Sequence, residues 1–189
     1  MSNREGNLFV VSGPSGTGKS TLIERFLAEE PEVRFSVSYT TRSRRPHEVD
    51  GKEYKFVDAE RFRKMIDAGQ FLEWENVHGY YYGTPEHEVT DPLIQGFDVI
   101  LDVDVKGALR VKGKCERAVL IFVDTPSMDE LVRRLSIRGE KEIEKRMERV
   151  REEVASKGLF TYVVINDTID RAYDEFKSII TEARRRQDG

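Results

Sequence analysis

Gly13-Pro14-Ser15-Gly16-Thr17-Gly18-Lys19-Ser20, followed by Thr21, decides how the rest of the chain is read. The stretch fits G-x-x-x-x-G-K-[ST] at each fixed position, the pattern of a loop that cradles phosphates. Glycines adopt backbone conformations that other residues resist, so successive N–H groups can turn inward on phosphate oxygens. A helix opening at the end of the loop adds unpaired N–H donors and the positive end of its dipole. Lys19 supplies a mobile cation for the β- and γ-phosphates, and the Ser20 hydroxyl is a ligand for the Mg²⁺ that travels with them.

The flanking residues agree with that reading. Leu8-Phe9-Val10-Val11 enters the loop as a strand-like apolar run, and Leu22, Ile23, Phe26 and Leu27 leave it at helical spacing. Further on, Val99 to Asp104, Ala118 to Val123 and Tyr162 to Ile165 read as short buried strands. Helical segments separate them: one opened by the Ser127/Glu130 capping box, one carrying Ile143, Met147, Val150 and Val154, and a last one burying Ala172, Phe176, Ile179, Ile180 and Ala183. Such alternation predicts an α/β fold, a parallel sheet covered by helices on both faces. Ligands bind these sheets beyond the carboxyl ends of the strands, where the loop and Asp102/Asp104 fall.

Between about 36 and 84 the pattern changes. Phe35 to Tyr39 alternates like a half-buried strand, and Tyr54 to Val57 reads as another. Asp58 caps a helix bearing Phe62, Met65 and Ile66, Gly69 ends it, and Phe71 to Val77 is strand-like. The expected organisation is one domain: core about 1–35, 90–134 and 150–189, a small mixed insert about 36–89, and a lid about 135–149. A helix is expected to open at Thr84-Pro85, and Pro92 should kink or split it.

Composition narrows the function classes. The chain has 189 residues, 35% of them charged, yet its net charge is only -4. A mildly acidic chain is not a general nucleic-acid binder, so anionic ligands must meet local basic clusters. Cys115 is the only cysteine, which excludes a disulfide framework and a cysteine-based zinc site. No apolar run has membrane-spanning length, and Met1 to Gly6 lacks the apolar core of a secretory signal. A cytoplasmic protein without nucleic-acid or membrane partners, monomeric or a small homo-oligomer, is the expectation. His47, His78 and His87 lack metal-ligand spacing and read as surface residues, as does the basic run Arg184-Arg185-Arg186 at the end of the last helix.

A phosphate loop is common to motors, switches and kinases, and the insert decides among them. It holds Arg42 and Arg45 with Arg44 between them, then Tyr54, Glu73 beside Trp74, and Gly79-Tyr80-Tyr81-Tyr82-Gly83-Thr84. Two guanidinium forks and tyrosine hydroxyls suit a phosphate dianion. A buried carboxylate suits guanine, whose neighbouring N1–H and N2–H donors it accepts together, whereas adenine offers no such pair.

At these residues the chain resembles the guanylate kinases. Matching segments are Gly13 to Thr21, Ser36 to Arg42 and on to Arg45, Gly51 to Tyr54, Phe71 to Trp74, Gly79 to Thr84, Ile100 to Asp104, Arg134 to Gly139 and Asn166-Asp167. The resemblance covers almost the whole chain in collinear order. It implies transfer of the γ-phosphoryl of ATP to GMP, with Mg²⁺, giving ADP and GDP. It also implies that Gly13, Pro14, Ser15, Gly16, Thr17, Gly18, Lys19, Ser20 and Thr21 hold ATP, with Asn166 near its base. Ser38, Arg42, Arg45, Tyr54 and Tyr82 would surround the GMP phosphate, and Glu73 and Thr84, with Asp102, would read the guanine. Ser20 and, through water, Asp104 would serve the metal. Lys19, Arg42, Arg134, Arg138 and Arg146 would act on the transferring group.

One departure stands out: Gly139 to Lys145 makes the lid a few residues shorter than is usual in that family, which bears on Arg146. The rival of a different class is a kinase-like module that binds protein segments in the same cleft, and it should lack a working phosphate loop. The rival within enzymes is a kinase of similar scaffold acting on another phosphorylated acceptor, such as a ribose bisphosphate.

Overall fold

The computed structural model describes residues 5–46, 48–77, 79–137 and 143–187, with the side chains of 143–146 and 187 left outside. β1 (Leu8–Ser12) runs into α1 (Lys19–Glu29). β2 (Val33–Phe35), β3 (Tyr39–Thr40) and β4 (Lys55–Phe56) follow, then α2 (Ala59–Asp67). β5 (Phe71–Val77) and β6 (Tyr80–Pro85) lead to α3 (His87–Ile94). The remainder alternates through β7 (Asp98–Asp102), α4 (Val105–Lys114), β8 (Val119–Asp124), α5 (Met128–Ile137), α6 (Ile143–Ala155), β9 (Tyr162–Ile165) and α7 (Ile169–Gln187).

β2-β7-β1-β8-β9 form one sheet, parallel throughout. β1 lies at its centre with all of its residues buried, as a strand covered on both faces requires. On one face Phe9, Val11, Ile100, Ile121 and Val123 pack against α1 and α7, where Phe26 meets Phe176 edge-on at 5.7 Å. On the other, Val10, Leu101, Leu120 and Phe122 pack against Val89 and Leu93 of α3 and Val105, Ala108 and Val111 of α4. A third cluster joins α5 and α6 through Leu131, Leu135, Met147 and Val150. Among the described residues no helix is long and apolar enough to cross a membrane.

The second sheet has the order β4-β3-β6-β5 and is mixed: β3 and β4 are parallel, while β6 runs antiparallel to both β3 and β5. Phe62 of α2 is its anchor, stacked between Phe71 at 4.4 Å and Tyr81 at 5.4 Å. Asp58 Oδ1 caps α2 by accepting from the Arg61 N–H at 2.7 Å. Gly69, at φ 65, closes the helix with its N–H on the Ile66 carbonyl.

Three expectations need correction. Phe35 to Tyr39 is not one strand: Phe35 pairs with Ile100 in the core sheet and Tyr39 with Gly83 in the second. The alternation persists while the chain changes sheets. Thr84-Pro85 does not open a helix but ends β6, and α3 starts at His87. Pro92 falls in the last turn of α3, where its missing N–H removes one bond and the helix runs on only to Ile94. Arg184 is not a solvated helix end. Its Nε donates to Asp98 Oδ2 at 2.6 Å and its NH1 to Glu30 Oε2 at 3.0 Å. Asp98 is buried and also receives the Asn7 N–H, so the arginine answers a carboxylate that would otherwise be costly.

Candidate active site

The phosphate loop leaves the carboxyl end of β1 and turns on glycines that only glycine can occupy. Gly13, Gly16 and Gly18 have φ of 133, 94 and 97. A Cβ on Gly13 would lie 2.2 Å from the Val123 carbonyl oxygen, and one on Gly18 would lie 2.3 Å from Asn166 Nδ2. Gly18 carries no capping side chain, so the first N–H groups of α1 stay open to an anion. The loop is braced from beneath: Thr17 Oγ1 donates to the Pro14 carbonyl at 2.9 Å and Asn166 Nδ2 to the Thr17 carbonyl at 2.7 Å. Lys19 Nζ folds back on the carbonyls of Gly13 and Pro14. Ser15, Ser20 and Thr21 are exposed to the cleft above, about 420 Å³, which Tyr54, Asp102, Asp104, Arg149 and Glu153 also line.

β7 ends beside β1 and delivers the acidic wall. Asp102 faces Lys19; burial raises its pKa and the lysine draws it back. Asp104 caps α4, its Oδ1 accepting from the Gly107 N–H at 2.8 Å, while its Oδ2 takes Arg149 at 3.2 Å.

A second cleft of about 280 Å³ opens on the same wall, lined by Ser38, Tyr54, Glu73, Tyr82, Asp102, Asp104 and Arg149. Glu73 on β5 is buried and accepts from Thr84 Oγ1 of β6 at 2.8 Å; Ser38 Oγ lies 3.0 Å from the same hydroxyl. The pairing of Glu73 with Thr84 across β5 and β6 puts the two side by side. Burial lifts the Glu73 pKa above the usual carboxylate value, opposed first by the Thr84 hydrogen bond. At the far side, Arg42 forms a two-pronged pair with Glu48, NH1 to Oε2 at 3.0 Å and NH2 to Oε1 at 2.7 Å. Its guanidinium lies 5.6 Å from the Tyr54 ring centre, and Tyr54 meets Tyr82 edge-on at 5.8 Å. Burial pushes the Tyr54 phenol up to about 12, so it remains a donor at neutral pH.

The structure thus brings Ser38, Tyr54, Glu73, Tyr82, Asp102 and Asp104 onto one cleft beside Gly13 to Thr21, with Thr84 bonded behind Glu73 and Arg42 against Tyr54. Other residues stand apart. Arg45 is exposed and is tied only by its main-chain N–H to Glu48 Oε2 at 2.7 Å. Arg134 pairs with Glu130 on its own helix at 2.7 Å and donates to the Asn166 carbonyl at 2.8 Å. Asn166 is buried as a brace behind the loop. Arg138 and the side chain of Arg146 lie outside the described residues, as do His47 and His78.

Sequence reasoning missed Glu48, Glu153 and Arg149. Glu48 is buried among arginines, and the two prongs of Arg42 hold its pKa down near 2. In the sequence it is simply the one acid between Arg42 and Val49 in an otherwise basic turn, and only its burial sets it apart. Glu153, its pKa raised by burial, lies with Arg149 on the α6 face that looks into the phosphate-loop cleft.

No cluster of three or more acidic, histidine or cysteine side chains suited to a metal occurs among the described residues. The oxygens that are present, Ser20 and Asp104 with Asp102 near, form too sparse a set to cage an ion by themselves. They fit a hard cation that arrives with phosphates and retains most of its water.

Comparison with known proteins agrees with this geometry. The family model described as guanylate kinase matches residues 5–183. A guanylate kinase of Caldanaerobacter subterraneus subsp. tengcongensis is 44% identical over 98% of this chain and 91% of its own length. One from Symbiobacterium thermophilum is 46% identical over 96% and 88%. The crystal structure of guanylate kinase from Anaplasma phagocytophilum superposes with a TM-score of 0.78 at 32% identity, covering 96% of this chain and 88% of that one. The chain belongs to the guanylate kinase family.

Proposed function

We propose that this chain transfers the γ-phosphoryl group of ATP to GMP, giving ADP and GDP, with Mg²⁺ as the accompanying ion, in the cytoplasm. The observation that carries the reading is the buried Glu73–Thr84 pair with Ser38 beside it, set in a cleft that shares Tyr54, Asp102 and Asp104 with the phosphate-loop cleft. A carboxylate held by a hydroxyl has a second oxygen for the paired N–H groups of guanine. Arg42, pre-aimed by Glu48, and the hydroxyls of Tyr54 and Tyr82 hold the GMP phosphate, with Arg45 closing from solvent. Main-chain N–H groups from Ser15 to Ser20 and the Lys19 ammonium hold the ATP phosphates. Ser20 and, through water, Asp104 would hold the ion, which when bound supplies charge neutralisation on the phosphates.

Phosphoryl transfer needs no protein nucleophile, so the residues contribute positioning and positive charge. Arg134, released from Glu130, and Arg138 and Arg146 of the lid add to that charge. Closing the lid and the small sheet keeps water from the γ-phosphoryl group. The test is ADP production from ATP and Mg²⁺ with GMP, AMP, CMP and UMP offered in turn. GMP-dependent turnover at least ~10-fold above AMP is expected, as one bidentate base contact supplies. Equal rates with AMP, or none with GMP, contradict the reading.

A further inference from the structure

Arg149 is the only cationic side chain among the described residues that lines both the phosphate-loop cleft and the acceptor cleft. It projects from α6 between them, 45% exposed, and is held by two carboxylates: Asp104 Oδ2 at 3.2 Å and Glu153 Oε1 at 3.1 Å. Its place is unlike that of Arg134, which is turned away onto Glu130 and Asn166. It is also absent from the arginines that family resemblance brings forward.

Its partners explain why it can move. Asp104 has one oxygen committed to the Gly107 N–H, leaving Oδ2 as the oxygen that Arg149 occupies. Asp104 is also the carboxylate that serves the ion in the reading above. If Asp104 Oδ2 turned to the hydration shell of an ion bound with ATP, the Arg149 guanidinium would be freed next to the space between the substrates. Solvent-exposed ion pairs of this kind are weak and screened, so the exchange has little to overcome. Glu153 stays at the other edge of the guanidinium and keeps it from swinging into solvent.

We propose that Arg149 is a catalytic residue whose guanidinium leaves Asp104 when both substrates are bound and lies on the phosphoryl group in transfer. This rests on the phosphotransferase reading. In that step a GMP phosphate oxygen forms a bond to the γ-phosphorus as the bond to the β–γ bridging oxygen breaks. The electron pair departs with ADP, and charge on the equatorial oxygens is met by the arginine. No proton is exchanged with Arg149.

The test is steady-state kinetics of the full chain and of Arg149→Ala, Arg149→Lys and Arg151→Ala, with thermal midpoints measured alongside. Arg151 is exposed on the same helix and serves as the control. Removal of one transition-state donor predicts a fall in kcat of about 10²-fold for Arg149→Ala. KM for GMP and for ATP should stay within about threefold, since the contact is made only in the transition state. Arg149→Lys should recover less than a tenth of the lost rate, because an ammonium cannot form the planar fork. A fall in kcat below tenfold, a loss confined to KM, or full recovery with lysine overturns the proposal. If the parent and Arg151→Ala are both inert toward GMP, the phosphotransferase reading fails and Arg149's role with it. An active parent with an unimpaired Arg149→Ala removes only the assignment of Arg149.

Discussion

In the phosphate loop the groups that face the cleft are main-chain N–H donors, fixed by glycines at φ of 133, 94 and 97 and braced by Asn166. In the acceptor cleft they are side chains from β5 and β6 and from the residues just before β3 and β4, with Arg42 in the turn after β3, held by one another. Arg42 is aimed by Glu48, and Glu73 is aimed by Thr84. The first pocket sits on a parallel sheet whose central strand is fully buried, the second on a four-stranded mixed sheet with a small aromatic core. A pocket built of backbone binds whatever carries phosphates. A pocket built of side chains can tell one base from another, and single substitutions can dismantle it a function at a time. The guanylate kinase fold joins the two through one shared acidic wall.

The comparison can be broken at the loop first, where the largest effect is expected. Lys19→Met should lower kcat about 10³-fold while circular dichroism and GMP affinity stay at the parent's values. A loss of GMP binding in that variant would show that the pockets are not separable. Next, Glu73→Gln should reduce the preference for GMP over AMP by about 10- to 100-fold, read as the ratio of kcat/KM values. Unchanged selectivity would mean that another group reads the base. A smaller effect is expected from Glu48→Gln, which leaves Arg42 in place but unaimed. KM for GMP should rise about tenfold with KM for ATP unchanged, and a variant with normal KM for GMP would argue that Arg42 needs no partner.

The smallest and sharpest distinction is in pH dependence. Glu73 has its pKa raised by burial, so it protonates at a higher pH than an ordinary glutamate as the solution is acidified. Glu48, at about 2 against an unfolded value near 4.5, behaves oppositely: its stabilising contribution is present above the unfolded value and disappears as pH falls toward 2. Hence kcat/KM for GMP should fall severalfold on the acid side while the Arg42 end of the cleft stays paired. The ratio of parent to Glu73→Gln cancels the titration of the GMP phosphate itself. A ratio that is flat with pH would contradict the role of Glu73.

What could be read in advance follows the same division. The phosphate loop is contiguous, and each glycine is demanded by local backbone geometry, so one short stretch discloses it. The capping of α2 by Asp58 and of α5 by Ser127 is also local, and both are found as expected. Glu48 was missed because, in a chain with 35% charged residues, one more acid in a turn carries little signal until its burial is known. Arg149 shares α6 with Arg146 and Arg151, and which of them faces the cleft depends on how the helix docks through Met147 and Val150. The proline after Thr84 makes it look like a helix cap, but it lies in β6. Its hydroxyl serves Glu73, the residue with which the resemblance groups it, and the pairing of β5 with β6 supplies the contact. Phe35 to Tyr39 misled because side-chain alternation does not register a change of sheet.

The most direct test of the two-pocket account is calorimetric titration of GMP and of a non-hydrolysable ATP analogue with Mg²⁺ into the parent, Lys19→Met and Arg42→Ala. Lys19→Met should lose affinity for the ATP analogue alone, and Arg42→Ala for GMP alone, each about tenfold or more. If either substitution weakens both ligands to the same degree, or if the parent does not bind GMP, the account is contradicted.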